Sequence, residues 1–227
     1  YNRVIKERAS VALSANYVNY GQMRYTTADN QDLGEFSAKD IAVTAYFSYM
    51  LTDKLAGGIA AKVLSSSIGH YNSVGVGEDL GLNYYDADRE LSLSVVGKNL
   101  GGQLKAYDDN YEAMPIDVQI GVSKRLKHTP FRLSATLVDL NHWHYSLMKH
   151  FVFGVDAQLS QNIWVGAGYS LRRANEMKVG DADTASSHGA GLSLGAGLQL
   201  ERFKLNLAYG KYHVSSSSVV LNLSFSL

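Results

Sequence analysis

The chain has 227 residues, with 21 basic and 21 acidic side chains and a formal net charge of zero, a balance without the basic excess that nucleic-acid binding requires. It contains no cysteine, which excludes a disulfide framework and a thiolate metal site. Mean hydropathy is -0.12 and no run of about eighteen apolar residues occurs, so a helical span is excluded and only a closed set of strands could cross a bilayer. The 15 tyrosines, 21 glycines and 2 prolines suit a strand-rich chain with aromatic girdles and a close-packed polar interior. No initiator Met or signal peptide is seen, and the chain reads as a mature fragment lacking N-terminal material.

Segments of about ten residues with alternating polarity, separated by turn chemistry, recur along the chain. The first covers 8–20, with Val11, Leu13, Ala15 and Tyr17 on one face. In the second, 39–51, Ile41, Val43, Ala45, Phe47, Tyr49 and Leu51 alternate with Ala42, Thr44, Tyr46, Ser48 and Met50. A tight turn at 52–54 leads to a third that turns Ile59, Ala61 and Val63 outward and Lys62 inward. The fourth, 74–85, sets Leu80, Leu82 and Tyr84 against Asp79, Gly81 and Asn83. ELSLSVVGKN supplies the fifth, and the sixth, 116–126, opposes Ile116, Val118, Ile120 and Val122 to Asp117, Gln119, Gly121 and Ser123. Residues 131–140, 149–160, 163–173, 189–200 and 202–213 continue the pattern.

The twelfth segment, 216–227, states the rule most clearly. Val219, Leu221, Leu223, Phe225 and Leu227 share one face, opposite Ser218, Val220, Asn222, Ser224 and Ser226. A terminal strand that is apolar outward and small and polar inward is what a transmembrane barrel needs. The connections give an independent sign. The turns at 52–54, 86–89, 127–130, 160–162 and 201–202 share one side and are short, whereas 21–38, 66–73, 99–115, 141–148, 174–188 and the brief 214–215 fall on the other. Short periplasmic turns and longer external loops are the habit of outer-membrane barrels. The expected fold is therefore an all-β, transmembrane antiparallel β-barrel, one domain over 1–227, lying in outer-membrane lipid.

Strand parity points Lys62, Asp79, Asn83, Asp117, Gln119, Asp156, Gln199, Lys204 and Asn206 into the interior. Charges there need partners or water. Lys62, Asp79, Asp117, Asp156 and Lys204 thus form either a salt-bridged network holding the barrel or a substrate path. On the external loops, Tyr107, Tyr111, Trp143 and Tyr145 are the amphipathic side chains that serve either partner contact or a membrane-surface girdle.

Catalytic and metal chemistry find little support. His142, His144 and His150 gather in one region, but three or four ligands are needed and no acidic residue lies between them. His213 beside Ser216, Ser217 and Ser218 imitates a nucleophile and base, although a serine-rich hairpin is ordinary turn chemistry. The glycines of GLSLGAG fall on an alternating strand with no helix after them to receive a phosphate. Lys124, Arg125, Lys127 and His128 form a basic cluster suited to lipid headgroups or to a solvated turn. No enzyme activity and no cofactor are expected.

The phrases NYVNYGQMRYT, GEFSAKDIAV, EDLGLNYY, VVGKNLGGQLKAY, PIDVQIGVSKRLKHTPFRLSATLVDLNHW, FVFGVD, GYSLRRANEM and GLSLGAGLQLERFKLNLAYGKYH resemble the PorQ family of the type IX secretion system, similar to PorV and more distantly to FadL transporters. The likeness runs in order over nearly the whole chain and is most specific around KRLKHTPFRLS. It implies a FadL-like barrel of fourteen strands when complete, so that strands are missing on the N-terminal side. It also implies residues omitted near 145–148. Functionally, it implies a non-enzymatic anchor for a PorZ-like surface protein, beside PorU and PorV, in an attachment complex. The alternative is FadL-like transport of hydrophobic small molecules, which would need an apolar pocket and a lateral opening at a kinked strand.

Overall fold

A computed structural model describes residues 1–142, 144, 146–178 and 186–226. Among them, thirteen strands follow one another in sequence order, each hydrogen-bonded to the next, as one antiparallel sheet. The chain divides into two compact units, Tyr1–Asn83 with Val96–Asp117, and Tyr84–Val95 with Val118–Leu227.

The first unit holds β1 (Asn2–Ile5), β2 (Ala9–Thr26), β3 (Asp32–Met50) and β4 (Leu55–Ile68), together with most of β5 (Tyr71–Asp86) and the later part of β6 (Leu91–Lys105). Its alternation is plain. In β3, Ile41, Val43, Phe47 and Tyr49 are exposed while Thr44 is buried. Paired with it, β4 exposes Ile59 and Val63 and buries Ala60, with the Lys62 side chain largely buried on the same inner face. A wall that exposes its branched and aromatic side chains outward and packs small or polar ones inward is built for hydrocarbon on its outer face.

The first unit departs from the sequence expectation in several places. Alternation gave twelve strands and began at residue 8, whereas Asn2–Ile5 pairs with β2 through Ile5↔Ala9 and Arg3↔Val11. Lys6, Glu7 and Arg8 make that three-residue turn, with Lys6 and Glu7 at φ of 49° and 51°, a left-handed geometry supplied here without the usual Asn or Gly. Second, the connection expected at 21–38 is mostly ladder: β2 and β3 continue through Gln22↔Ser37, Met23↔Phe36 and Thr26↔Asp32. Register shifts at Asn19/Gln22 and Arg24/Thr26 keep the pairing alive. Gly21 and Gly34, at φ of 78° and 110°, supply the backbone freedom such bulges demand. Third, 66–73 is not a long loop, because β4 runs to Ile68 and β5 starts at Tyr71. The short turn at 52–54 is as expected. Thr52 Oγ1 accepts from the Lys54 and Leu55 amides at 3.3 and 3.0 Å, a hydroxyl closing its own turn.

The second unit contains β7 (Asp117–Arg125) from Val118 onward, β8 (Phe131–Leu137), β9 (Phe151–Gln158), β10 (Ile163–Ser170), β11 (Leu192–Gln199), β12 (Phe203–Gly210) and β13 (Ser218–Phe225). Its short turns are closed by their own side chains. Asp86 accepts from the Asp88 and Arg89 amides, and Ser160 Oγ from those of Asn162 and Ile163. β13 turns Val219, Leu221, Leu223 and Phe225 outward; Leu227 lies outside the described residues.

Here the segment expected as strand over 163–173 ends at Ser170. Leu171–Glu176 forms a short helix, α1, with the Ser170 hydroxyl accepting from the Arg173 amide at 3.4 Å. LRRANE is made of good helix formers with Arg172 and Glu176 one turn apart, so local propensity prevails once the chain leaves the ladder. Likewise 131–140 stops at Leu137, just before Asp139 takes φ of 58°. The segment expected over 149–160 begins only at Phe151, after a 3₁₀ turn, Leu147–His150. Among the described residues no helix is long and apolar enough to cross a membrane.

Candidate functional site

Strand parity fixes the inner wall of each unit, and charged side chains collect on it. In the first unit, Lys62 on β4 and Asp79 on β5 form an ion pair at 2.7 Å, both side chains more than four-fifths buried. Lys62 also donates to Asn99 Oδ1 at 2.8 Å, and the Asn99 amide donates to Asp79 Oδ1 at 2.8 Å. A buried pair whose lone pairs are taken up by further donors avoids most of the desolvation cost of an isolated charge. Nearby, Asp40 accepts from Ser66 and, at 2.7 Å, from Tyr20.

In the second unit, Asp156 on β9 stands directly across from Arg132 on β8. Arg132 Nε and NH2 both reach Asp156 Oδ2, at 3.0 and 2.9 Å. Arg132 was not among the inward residues read from the sequence. The signal was present, since Phe131 and Leu133 are outward and parity sends the residue between them in. Lys204, placed on the same wall by β12, lies across from Gln199 and Ser224 and makes no ion pair among the described residues. Asp117 opens β7 half-buried. Of the five charges read as inward, Lys62 thus meets Asp79, while Asp156 meets Arg132, a residue outside that set.

Trp164 of β10 lies across Gly195 and Gly197. A Cβ on Gly195 would come within 3.2 Å of the indole, and one on Gly197 would overlap it. Gly195 and Gly197 of GLSLGAG are therefore a floor for an aromatic ring. A cavity of about 270 Å³ borders Trp164, Asp156, Ser193 and Tyr212, and a second of about 180 Å³ borders Arg132, Gln158 and Trp164.

At the loop end of this unit a polar cap joins two connections. His142 Nδ1–H donates to Asp139 Oδ1 at 2.6 Å, Arg172 donates to Asp139 Oδ2, and Arg172 Nε donates to Glu176 at 2.6 Å. Burial pushes the Asp139 carboxyl up, but the bonds from His142 and Arg172 outweigh it and hold it below the usual carboxylate range. Arg172 is raised, chiefly by its bond to Glu176. Next to it, the Arg173 guanidinium sits 4.4 Å from the centre of the Tyr212 ring, a cation–π contact. His150 is fully buried and its Nδ1–H donates to the Val138 carbonyl at 2.7 Å; His144 is exposed. His213 bonds Ser215 within its own turn at 2.8 Å. In the basic cluster, Arg125 approaches Glu90 at 4.0 Å.

Of the aromatics read as contact or girdle, Tyr111 is exposed and Tyr107 half-buried, both in the connection after β6. Trp143 and Tyr145 lie outside the described residues, as do residues 179–185 of the connection expected at 174–188.

No family model matches the chain, and no curated protein sequence does either. Among solved structures it is similar to the Pseudomonas putida toluene transporter TodX, at TM-score 0.53 and 14% identity, over 89% of this chain and 72% of that one. CdiB from Acinetobacter baumannii gives TM-score 0.43 and 11% identity, over 97% of this chain and 48% of that one, a likeness too slight to argue from. The TodX likeness is one of fold. The chain has the fold of a FadL-like outer-membrane β-barrel, and its apolar outward face is that of an integral outer-membrane protein.

Proposed function

We propose that this barrel is a non-enzymatic anchor, holding a surface protein through its external loops, within an attachment complex of the type IX secretion kind. The supporting observation is the charged inner wall. Lys62–Asp79 and Arg132–Asp156 make it a costly route for a hydrocarbon solute, which offers these groups no hydrogen bonds in place of water. A rigid wall with a braced loop end suits recognition, since loops on a fixed scaffold carry partners. The resemblance to PorQ, a PorZ-like partner and neighbours such as PorU and PorV belong to this reading. The test is a mild-detergent pull-down of the full-length protein from outer membranes, with mass spectrometry of what stays bound. A stoichiometric surface protein, lost when 106–116 or 138–150 is shortened, is the expected result.

A second reading is transport of hydrophobic small molecules, favoured by the likeness in fold to the toluene transporter TodX. Recovery of the barrel alone, carrying lipid or fatty acid, would select it over the anchor.

A further inference from the structure

The connection after β6 does not stand away from the wall. In the first unit it folds back over the inner face of β5 and β6, and each contact is specific. Gly102 and Ala113 form an antiparallel bridge. Gln103 Oε1 accepts from the Glu112 amide at 2.7 Å, while Gln103 Nε2 donates to Ser73 Oγ at 3.0 Å. Ser73 Oγ in turn donates to the Lys105 carbonyl at 2.9 Å. Asn99 Nδ2 donates to the Pro115 carbonyl at 2.9 Å while its Oδ1 accepts from Lys62. Asn99 takes φ of 58°, the irregularity that turns Asn99 and Gln103 to the inner side. Finally, Met114 lies against Gly75 and Gly77, where a Cβ on Gly77 would approach its Cε within 3.2 Å. Ser73, Gly75 and Gly77 are buried, although they sit on the inner face that parity assigns opposite the exposed Leu80 and Leu82.

We propose that 106–116 is an inward-folded strap, latched to the inner wall by Asn99, Gln103 and Met114, that obstructs solute passage along that wall. The inference rests on the outer-membrane barrel fold and deepens the anchor reading, because it names the element that keeps such a barrel from leaking. Two kinds of bond hold the strap: neutral hydrogen bonds at Gln103, and a link through Asn99 to the Lys62–Asp79 pair. A methionine resting on glycines supplies an adaptable apolar contact that can form and part without unpaired polar groups.

The test uses the full-length protein in planar lipid bilayers with potassium chloride as the probe. Because the chain contains no cysteine, Gly102→Cys with Ala113→Cys introduces a single possible disulfide at a bridge whose strand-like spacing suits one. A Cβ at Gly102 meets open space, so the substitution itself is tolerated. The expected result is spontaneous crosslinking in outer membranes, with an oxidised conductance no higher than that of the unmodified protein. Removal of 107–113, joining the strap's ends, should raise conductance by at least about threefold, as widening a constriction does, and Gln103→Ala with Asn99→Ala should fall between. A folded double-cysteine barrel that fails to crosslink, or equal conductance in locked and strap-deleted proteins, would overturn the proposal. Partner capture by the locked protein is read separately. If capture fails while conductance behaves as stated, the anchor reading falls and the strap stands.

Discussion

The two units solve the same problem with different means. In the first, β2 and β3 run for 18 and 19 residues, well beyond the roughly 9–11 that a tilted strand needs to cross hydrocarbon. Their excess is ladder, kept in register by bulges. In the second, strands β8 to β13 are 7 or 8 residues long, and the chain leaves the sheet early into a 3₁₀ turn and α1. There the loop end is held by side chains converging on Asp139 rather than by backbone pairing. One unit is fastened by many equivalent bonds and the other by a few specific ones, so single substitutions should act unequally on them.

The largest effect is expected at Asp139→Ala. The change removes the acceptor of both His142 and Arg172 and places Ala at φ of 58°, a left-handed backbone that Asp tolerates better than Ala because its short polar side chain can hydrogen-bond locally. Together these should cost about 3 kcal/mol, read as a lower unfolding midpoint in detergent, with amide exchange accelerated in 138–150 and α1 and unchanged in β2–β3. If exchange rises equally in both, the contrast between the units is wrong. The same cluster gives a pH dependence. A carboxyl held below its ordinary range contributes stability that is fully present above that range and lost as pH falls through the lowered folded value. The loop end of the second unit should therefore loosen on acidification, and Asp139→Asn should flatten that dependence.

Lys62→Met should cost about 2 kcal/mol by leaving Asp79 buried with Asn99 alone. Adding Asp79→Asn should recover part of the loss; no recovery in the double-mutant cycle would mean that the two charges are not coupled. A smaller loss, about 1–2 kcal/mol, is expected from Gly197→Ala, whose methyl would overlap the Trp164 indole. Trp164→Ala should suppress it, and tryptophan fluorescence should report the displaced ring. At the bottom of the scale stands Arg8→Ala, since Arg8 and Asp53 are 3.6 Å apart and largely exposed, an arrangement that rarely contributes measurably. A clear shift of the midpoint there would show that the short-turn end is less solvated than it looks.

Most strands were legible in the sequence because alternation is a direct imprint of a wall with two unlike faces. Ile41 to Tyr49 and Val219 to Phe225 could hardly be read otherwise. What escaped was whatever departs from strict period two. β1 is too short to show alternation, and its turn uses Lys6 and Glu7 in place of the usual turn residues. The long β2–β3 ladder hides behind bulges at Gly21 and Gly34, which shift parity and so resemble a loop. α1 continues an apparently strand-like GYSLRR, and only the Ser170 cap marks the change. For the site, parity selected which charges point inward but could not pair them, because pairing depends on register between strands. Arg132 opposite Asp156 is visible only once β8 and β9 are aligned. The inward fold of 106–116 was also beyond reach, since Gln103, Asn99 and Met114 act across distances that no local pattern encodes.

The Asp139 cluster has a mechanical consequence. Asp139 follows β8, Arg172 follows β10, and Arg173 leans on Tyr212 beyond β12. A pull on 138–150 would therefore not be borne by one hairpin. The load would pass through a carboxylate to a helix and through a guanidinium to a tyrosine, spreading shear over three successive hairpins whose ladders must slip together before any one yields.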